Sequence, residues 1–496
     1  MRFSLLVGTA LAALALPVAA QADTLRDALA KAYENNPTLT GARAGQRVTD
    51  ETVPLARANG LPSVGVQGSY TEYVLQSSNS FTSPDRAFSI GPQISIPIYQ
   101  GGAVKNAINA AEKRVEAGQA NLRATESSVF SQAVGAYMDV IRDQALVALN
   151  RNNVDVLGVN RQATGDRFEI GDLTRTDVAQ SESRLATARS QLQTAEARLI
   201  SSRERYIQII GDAPNDLQPP PALPGLPGTP QEAVAIALAD NPDIEAAQIN
   251  VDATRYDIRV AQAAKLPQVS LTGQTGYVNY IGTLGGSSPG FNFAQSQTTG
   301  SAGVTATIPI FQGGRPAAQV RQAQARSSQS MERLVETERL VVAQARSAYA
   351  SWQASLQVIQ SAQVASDAAQ LSLEGVRAEN SVGNRTILDI LNAEQEYLNA
   401  QVTLVSARRD AYVAAFTLLA AMGKAEAQDL GLDGGTLYDP QLNYERVRHK
   451  IWDWDQDPSP APQATSTLDT PAQDAHVADD AASPMRTGTS PQQPPQ

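Results

Sequence analysis

The stretch IPIYQGG at residues 96–102 returns as IPIFQGG at residues 308–314, 212 positions later, with one conservative exchange of Tyr99 for Phe311. The register extends well beyond the heptapeptide. Tyr137 matches Tyr349, Gly171 matches Gly383, Asp177 matches Asp389, Glu182 matches Glu394 and Gly211 matches Gly423, all at the same spacing. Upstream the spacing is 205: ENNP ending at Pro37 answers ADNP ending at Pro242, and Leu61-Pro62 answers Leu266-Pro267. Seven extra residues therefore enter the second half between Pro267 and Ile308. A register held this long indicates a tandem duplication of a unit of about 200 residues.

Just before each heptapeptide the sequence alternates. In AFSIGPQISIPI the residues Phe88, Ile90, Ile94, Ile96 and Ile98 share one face, while Ser89, Gln93 and Ser95 occupy the other. This is the pattern of a strand with one apolar and one polar face. SVGVQGSYTEY from Ser63, QVSLTGQTGYVNY from Gln268 and SAGVTATIPI from Ser301 alternate more weakly. Ten or eleven residues at ~3.3 Å each, tilted by ~40°, cover roughly 25–30 Å, which matches a hydrocarbon core. Polar, turn-rich loops, QSSNSFTSPDR and IGTLGGSSPGFNFAQSQTTG, separate the members of each pair. Pro97 and Pro309 are expected to end a strand, and Gly101-Gly102 and Gly313-Gly314 to supply a sharp turn into a helix. Neither copy carries the G-x-x-x-x-G-K-[ST] pattern of a phosphate loop.

The remaining sequence reads as helix. Thr24-Leu-Arg-Asp27 and Thr229-Pro-Gln-Glu232 place a Thr cap three residues before an acid. Each is expected to open one helix running to Leu-Pro at Pro62 and Pro267. From about 103 to Gly171, and from about 315 to Gly383, only isolated Gly interrupts the pattern, predicting helices on the order of 65 residues and ~100 Å. Val335, Val342, Tyr349 and Leu356 fall seven apart, as do Ile390, Tyr397, Leu404, Ala411 and Leu418, the spacing of coiled-coil seams. Shorter helices over 173–210 and 385–422 follow the Gly turns. The implied path is half a helix up, a strand hairpin, one long helix down, and half a helix back. The expected divisions are a leader at 1–22, a first repeat at 23–211, a Pro-rich mid-height link at 212–228, a second repeat at 229–424, a segment at 425–455 packing around mid-height, and a disordered low-complexity tail at 456–496.

Composition narrows the setting. The formal net charge of −11 argues against nucleic acid as a partner. The absence of cysteine excludes disulfides and thiolate metal sites and suits an oxidising compartment. Arg2, the apolar run FSLLVGTALAALALPV and Ala20-Gln21-Ala22 form a secretory leader pattern, a transmembrane anchor being the alternative. No later run approaches the ~18–20 apolar residues of a membrane helix, so an exported chain that spans a membrane must use strands. Of two histidines, His449 and His476, neither lies in the repeat, and no nucleophile elbow, metal-spaced cluster or cofactor fingerprint appears. The expectation is a non-enzyme without cofactors.

Four strands cannot close a membrane barrel, because open edges do not survive in lipid. Two copies would give an eight-stranded barrel nearly filled by side chains, and three a twelve-stranded one with a lumen. At this point the chain resembles the TolC-like outer-membrane channels of drug efflux and type I secretion over nearly all of residues 24–424. The duplication, the two heptapeptides and VGNRTILDILNAEQEYLNAQ from Val382 carry the resemblance. It implies a mixed α and β membrane protein: a homotrimeric twelve-stranded transmembrane β-barrel in outer-membrane lipid, continued by a long periplasmic α-helical barrel. It further implies a periplasmic adaptor, or membrane fusion protein, and an inner-membrane ABC or proton-driven transporter as partners. By the same resemblance the tip turns at Gly171 and Gly383 contact the adaptor, and Asp177 and Arg385 make closing contacts at the periplasmic entrance. This sequence has Asn380 where a Tyr joins them. Asp389 maps onto a constriction ring, with Asn392 where a second acidic ring would lie. The competing readings are a periplasmic coiled-coil adaptor or scaffold with no pore, which the alternating strands count against, and a diffusion porin, which the helix content disfavours. The cargo, protein or small drug, is not legible.

Overall fold

A computed structural model of the protein describes residues 23–75, 83–285, 293–432 and 437–477. The expected leader, the middles of both interstrand loops and the last part of the tail lie outside these residues.

The first half runs α1 (Leu25–Asn35), α2 (Pro37–Asp50), α3 (Thr52–Ala58), β1 (Ser63–Glu72), β2 (Arg86–Gln100), α4 (Ala103–Glu169) and α5 (Arg175–Ile210). The second runs α6 (Pro230–Asp240), α7 (Pro242–Ala263), β3 (Gln268–Asn279), β4 (Ser296–Thr307), α8 (Arg315–Ser381) and α9 (Ile387–Ala421), and α10 (Pro440–Val447) follows. The long helices α4 and α8 have 67 residues each, ~100 Å at 1.5 Å per residue. Gly102 and Gly314 cap their N-termini at φ 81° and 82°, where an L side chain is strained.

The opening helices are broken where one continuous helix was expected. Asn36 and Asn241 adopt extended backbone at ψ near 123° and 122°, because the following Pro37 and Pro242 crowd the helical conformation. Each Asn side chain then caps the helix that the proline begins, accepting from Thr38 N and Asp243 N at 2.9 Å. A second break between α2 and α3 falls where Pro54 has no N–H to offer the Asp50 carbonyl. The capping box at Thr24 and Asp27 forms as the sequence indicates. At Thr229 the hydroxyl caps Glu232 N, but the Glu232 carboxylate accepts from Gly228 N instead.

Along α4, the helices α2, α3 and α7 pack on the half near the sheet, and α5 and α9 on the half toward the Gly171 turn. α8 is flanked in the same way by α7 and then α9. Between these halves lies the main core, where Phe130, Tyr137, Tyr206 and Phe416 are fully buried. Two tyrosines fasten the Pro-rich link to this level: Tyr137 Oη donates to the Gln218 carbonyl at 2.6 Å and Tyr349 Oη to the Gly228 carbonyl at 2.8 Å.

The C-terminal segment passes over the same level. Tyr438 N donates to Tyr33 Oη at 2.9 Å, and Asn443 Nδ2 to the buried Asp50 carboxylate at 2.7 Å. Residues 456–477, expected to be disordered, form no helix or strand but are fastened to α5. Arg203 donates to the carbonyls of Asp474 and His476 at 2.7 Å, and Val477 is buried in the main core. Apolar Val477 and two charge-assisted hydrogen bonds give this stretch contacts that composition alone does not reveal.

The four strands form one antiparallel sheet in the order β1-β2-β3-β4, so β1 and β4 each present an edge with no strand partner among the described residues. Pro97 does not end its strand. β2 continues to Gln100, and the register against β3 shifts between Pro97 and Tyr99. β4 does stop before Pro309, at Thr307, and it begins at Ser296, inside the stretch expected to be loop.

Candidate functional site

The strand registers sort the sheet into two chemically distinct faces. Ser63, Ser95, Thr272 and Gly303 form one row across it, and Gly65, Gln93, Gln274 and Ser301 the next. Because side chains alternate, these rows share a face. It holds mostly Ser, Thr, Gln and Gly, with Ala87, Pro97 and Val278 as its apolar members, and no ionisable side chain from the paired strand residues. A trough of about 640 Å³ runs over it, which makes it the concave face.

The other face is apolar. Val64 lies opposite Ile94, Tyr70 opposite Phe88, Ile96 opposite Leu271, and Leu271 opposite Val304. Val64, Val66 and Val304 are 65–70 % exposed in the single chain, far more apolar surface than a water-facing sheet displays. Near the sheet's outer end this face carries Tyr70, Phe88 and Tyr277. At the helical end the irregularity at Pro97 re-aims one residue. Strict alternation would place Tyr99 with Ser95 on the polar face, but Ile98 is left unpaired and Tyr99 pairs with Val269, two residues from Leu271 on the apolar face. Phe88 and Tyr99 thus place aromatic side chains near the two ends of this face on one strand; a strand tilted by ~40°, as in membrane barrels, would set them roughly 28 Å apart, about the thickness of a hydrocarbon layer.

The opposite pole of the molecule is built by two turns of the same form. Gly171 and Gly383 adopt φ 82° and 81°, and Thr174 and Thr386 cap the helices that follow. Asp177 Oδ2 accepts from Thr174 N and Oγ1 at 2.9 and 2.7 Å, and Asp389 Oδ2 accepts from Thr386 N and Oγ1 at 2.9 and 2.7 Å. The Thr174 hydroxyl first, and the Thr386 backbone N–H first, hold the two carboxyls below the usual range. The signal was present in the sequence, since T-x-x-D at 174–177 and 386–389 repeats the pattern at Thr24.

Around these turns the predicted residues find partners within their own hairpin. Arg385 Nε donates to Glu379 Oε2 at 2.7 Å, which keeps its guanidinium charge firmly in place, and Asn380 Nδ2 donates to the Arg385 carbonyl at 2.7 Å. Among the described residues of one chain Arg385 pairs with Glu379, and Asp177 serves as a cap, so the expected contact between them is not an intrachain one. Asn392 Oδ1 accepts from Arg184 Nη2 at 2.8 Å, joining α9 to α5.

A more buried tie was not anticipated. The Glu394 carboxylate, 6 % exposed, accepts from Arg377 Nη2 at 2.9 Å and Asn160 Nδ2 at 3.1 Å, linking α9, α8 and α4 through one oxygen. The match of Glu182 with Glu394 marked the position only as part of the repeat. No cluster of metal-binding side chains occurs among the described residues, and none of their helices is long and apolar enough to cross a membrane.

The chain matches the family model described as outer membrane efflux protein over residues 28–212 and 233–424. It is 35 % identical over 432 residues to the outer membrane efflux protein BepC of Brucella suis, covering 87 % of this chain and 92 % of BepC. It is 27 % identical over 417 residues to the outer membrane protein TolC of Escherichia coli, covering 83 % and 84 %. Its fold is similar to that of the CmeC outer membrane channel of Campylobacter jejuni, with a TM-score of 0.71 at 18 % identity over 86 % of this chain and 89 % of that one.

Proposed function

We infer from one premise, that the chain belongs to the outer membrane efflux protein family, how its surfaces are used. It is an outer-membrane exit duct of a Gram-negative bacterium, a channel and not an enzyme, with its helical part in the periplasm. The finer reading is a homotrimer, built from a duplicated unit, in which three four-stranded sheets close into a twelve-stranded barrel and the helices continue as a periplasmic tube. The observation that carries it is the two-faced sheet with open edges. Its apolar face suits lipid and its uncharged concave face suits water, while each unpaired backbone group left at an edge in lipid costs several kcal/mol. Closure on other copies removes both edges at once.

In this reading cargo enters at the Gly171 and Gly383 turns, passes a helical tube of ~100 Å, and leaves through the barrel. A periplasmic adaptor docks at the turns, and an inner-membrane ABC or proton-driven transporter supplies the energy. Type I protein secretion and drug efflux both fit a water-filled tube of this kind. Asp177 and Arg385 belong to contacts between copies that narrow the entrance, with Asp389 at the constriction.

The mass of the purified protein in detergent, after subtraction of bound detergent, tests the assembly, and conductance in a planar bilayer tests the pore. A stable monomer, or a trimer without conductance under any mutation of the tip, overturns this reading.

A further inference from the structure

We infer that residues 451–454, the tip of a loop that follows α10, anchor the helical part to the membrane surface, with Ile451, Trp452 and Trp454 set in the lipid headgroup layer on the helical side of the sheet. The inference rests on the reading that the sheet's apolar face lies in lipid, and adds a second contact with the same bilayer.

The C-terminal segment climbs from the level of the main core toward the sheet. Tyr438 N donates to Tyr33 Oη of α1 at 2.9 Å, Asn443 Nδ2 to the Asp50 carboxylate at the end of α2 at 2.7 Å, and His449 Nδ1 lies 2.5 Å from Arg57 Nη1 of α3. Each step along the segment thus matches a step along α1, α2 and α3, the path that leads into β1 at Ser63. Contacts with α4 give the same direction. Tyr444 packs against the cluster of Val53, Ala111 and Val115, and a Cβ on Gly60, just past Arg57, would lie 2.8 Å from Val104 Cγ1 in the first turn of α4. Because α4 begins at Ala103, directly after β2 ends at Gln100, His449 stands at the level where helix gives way to strand.

Beyond His449 the chain makes a pinned loop. Arg446 donates to both oxygens of Asp457 at 2.6 and 2.8 Å, Lys450 pairs with Asp455 at 2.8 Å, and Asp455 N donates to the Trp452 carbonyl at 3.1 Å. The tip held out by these bonds is apolar, with Ile451, Trp452 and Trp454 70–80 % exposed. Two of the chain's three tryptophans are therefore here. A tryptophan is favoured at a membrane boundary, where lipid covers the ring while the indole N–H still finds water or a headgroup oxygen. The basic side chains are each paired with a carboxylate, Arg446 with Asp457, Lys450 with Asp455 and Arg448 with Glu445, so the loop presents almost no net charge. That suits a zwitterionic headgroup layer, which extends ~5–8 Å beyond the hydrocarbon on each side, about the reach of a tryptophan side chain. The apolar face of the sheet begins at Val64, next to Ser63, so the two lipid contacts are continuous along the molecule.

Quenching of tryptophan emission by lipid tests the contact. The full chain carrying Trp352→Phe, so that both remaining tryptophans lie in the loop, is reconstituted in phosphatidylcholine vesicles whose chains are brominated either near the headgroup or near their ends. Shallow bromine should remove most of the emission and deep bromine little of it. The wild-type chain should show the same contrast over a constant background from Trp352, which packs edge-on against Tyr349 at 5.8 Å, far from the sheet. A chain with Phe at all three tryptophans and Val66→Trp reports on the sheet in the same vesicles. Loop emission that neither lipid quenches but aqueous acrylamide does, or that deep bromine quenches more than shallow, overturns the inference. Emission reached by neither lipid nor acrylamide assigns the tip to a second copy and overturns it equally. If the Val66→Trp probe is quenched by lipid in those cases, the sheet remains in the membrane and only the anchor is lost; if that probe is unquenched too, the reading of the sheet falls with it.

Discussion

Asn241 Nδ2 donates to the carbonyl of Ala421, the last residue of α9, across 3.0 Å. Asn36 Nδ2 does the same for Ile209 at the end of α5, across 2.8 Å. In each case the asparagine that caps one half-helix with its oxygen closes the other half-helix with its nitrogen, so α9 stacks on α7 and α5 on α2. Gly211 and Gly423, at φ 91° and 74°, carry the chain out of the seam, and a Cβ on Gly423 would collide with the Asp240 carbonyl.

Two substitutions test the joint at Asn241. Asn241→Asp keeps the oxygen that caps α7 but removes the N–H and sets a negative charge against the C-terminal end of α9, where helix dipoles disfavour it. Asn241→Ala removes both functions, at about 1–2 kcal/mol. Both variants should lower the thermal midpoint of the helical circular dichroism signal while the oligomer assembles. An unchanged midpoint in both would show that stacking depends on the flanking apolar packing alone.

The buried tie at Glu394 predicts a local effect. Glu394→Ala removes the buried acceptor shared by Arg377 and Asn160; Arg377 is half exposed and can turn to water, so the cost should lie near ~1 kcal/mol. Hydrogen exchange should accelerate in the stretches around 160–177 and 377–394 and remain unchanged near Tyr137 and Tyr206. Acceleration throughout the chain, or none, would count against a tie confined to the tip.

How far the sequence revealed these features follows from the range of each signal. The long helices, the Gly171 and Gly383 turns and the two-faced strand are local patterns, and they were readable because period and turn residue coincide. The breaks at Asn36 and Asn241 were hidden because the apolar period runs on across the proline. The extension of β2 past Pro97 depends on β3, a strand about 170 residues away, so no local rule could supply it. Glu394 was unreadable as a tie for the same reason, since Asn160 comes from another helix 234 positions distant. The caps at Asp177 and Asp389 are local and readable from T-x-x-D, whereas a role between copies is implied by the family resemblance alone.

Those caps set a pH dependence. Both carboxyls are held below the usual range in the folded chain, so the stabilisation they give is present above the unfolded value of ~3.9 and is lost as pH falls through the lower folded value. Between pH 7 and 5 the tip should keep its hydrogen-exchange protection, and the first turns of α5 and α9 should lose it only as pH falls below the ordinary carboxylate range. A transition at pH 5–6 in a variant lacking both histidines would require a different titrating group.

The concave face of the sheet predicts the barrel's contribution to selectivity. Its paired rows carry no charge, so the wild-type barrel should leave the sign of the permeating ion to the helical part. Gln93→Lys would place one cation per copy in a row otherwise made of Gln, Ser and Gly, and should move the reversal potential in a salt gradient toward anions. The shift should shrink as salt rises from 0.1 M to 1 M, as the screening length falls from ~10 to ~3 Å. An unchanged reversal potential at low salt would mean that Gln93 does not face the conducting path.

The entrance is the last and most specific case. Arg385 is exposed and its carboxylate partner within the chain is Glu379, while Asp177 lies at the corresponding turn of the other hairpin. If copies meet at the tip through Arg385 and Asp177, Arg385→Glu replaces an attraction by a repulsion at every contact and also sets a carboxylate against Glu379. The purified channel should then show a higher single-channel conductance in a planar bilayer. Asp177→Arg added to it restores the attraction between copies but leaves Glu379 unpaired, so closure should return only in part. Arg385→Gln separates the two effects, because it removes the attraction without adding repulsion and should fall between wild type and Arg385→Glu. If Asp389 of the several copies forms the proposed acidic ring, Asp389→Ala should leave conductance at the closed level but weaken block by divalent and trivalent cations. Unchanged conductance in Arg385→Glu, with the trimer verified in the same preparation, would assign the closure to other residues, and the Arg184–Asn392 contact between α5 and α9 would be the next to break.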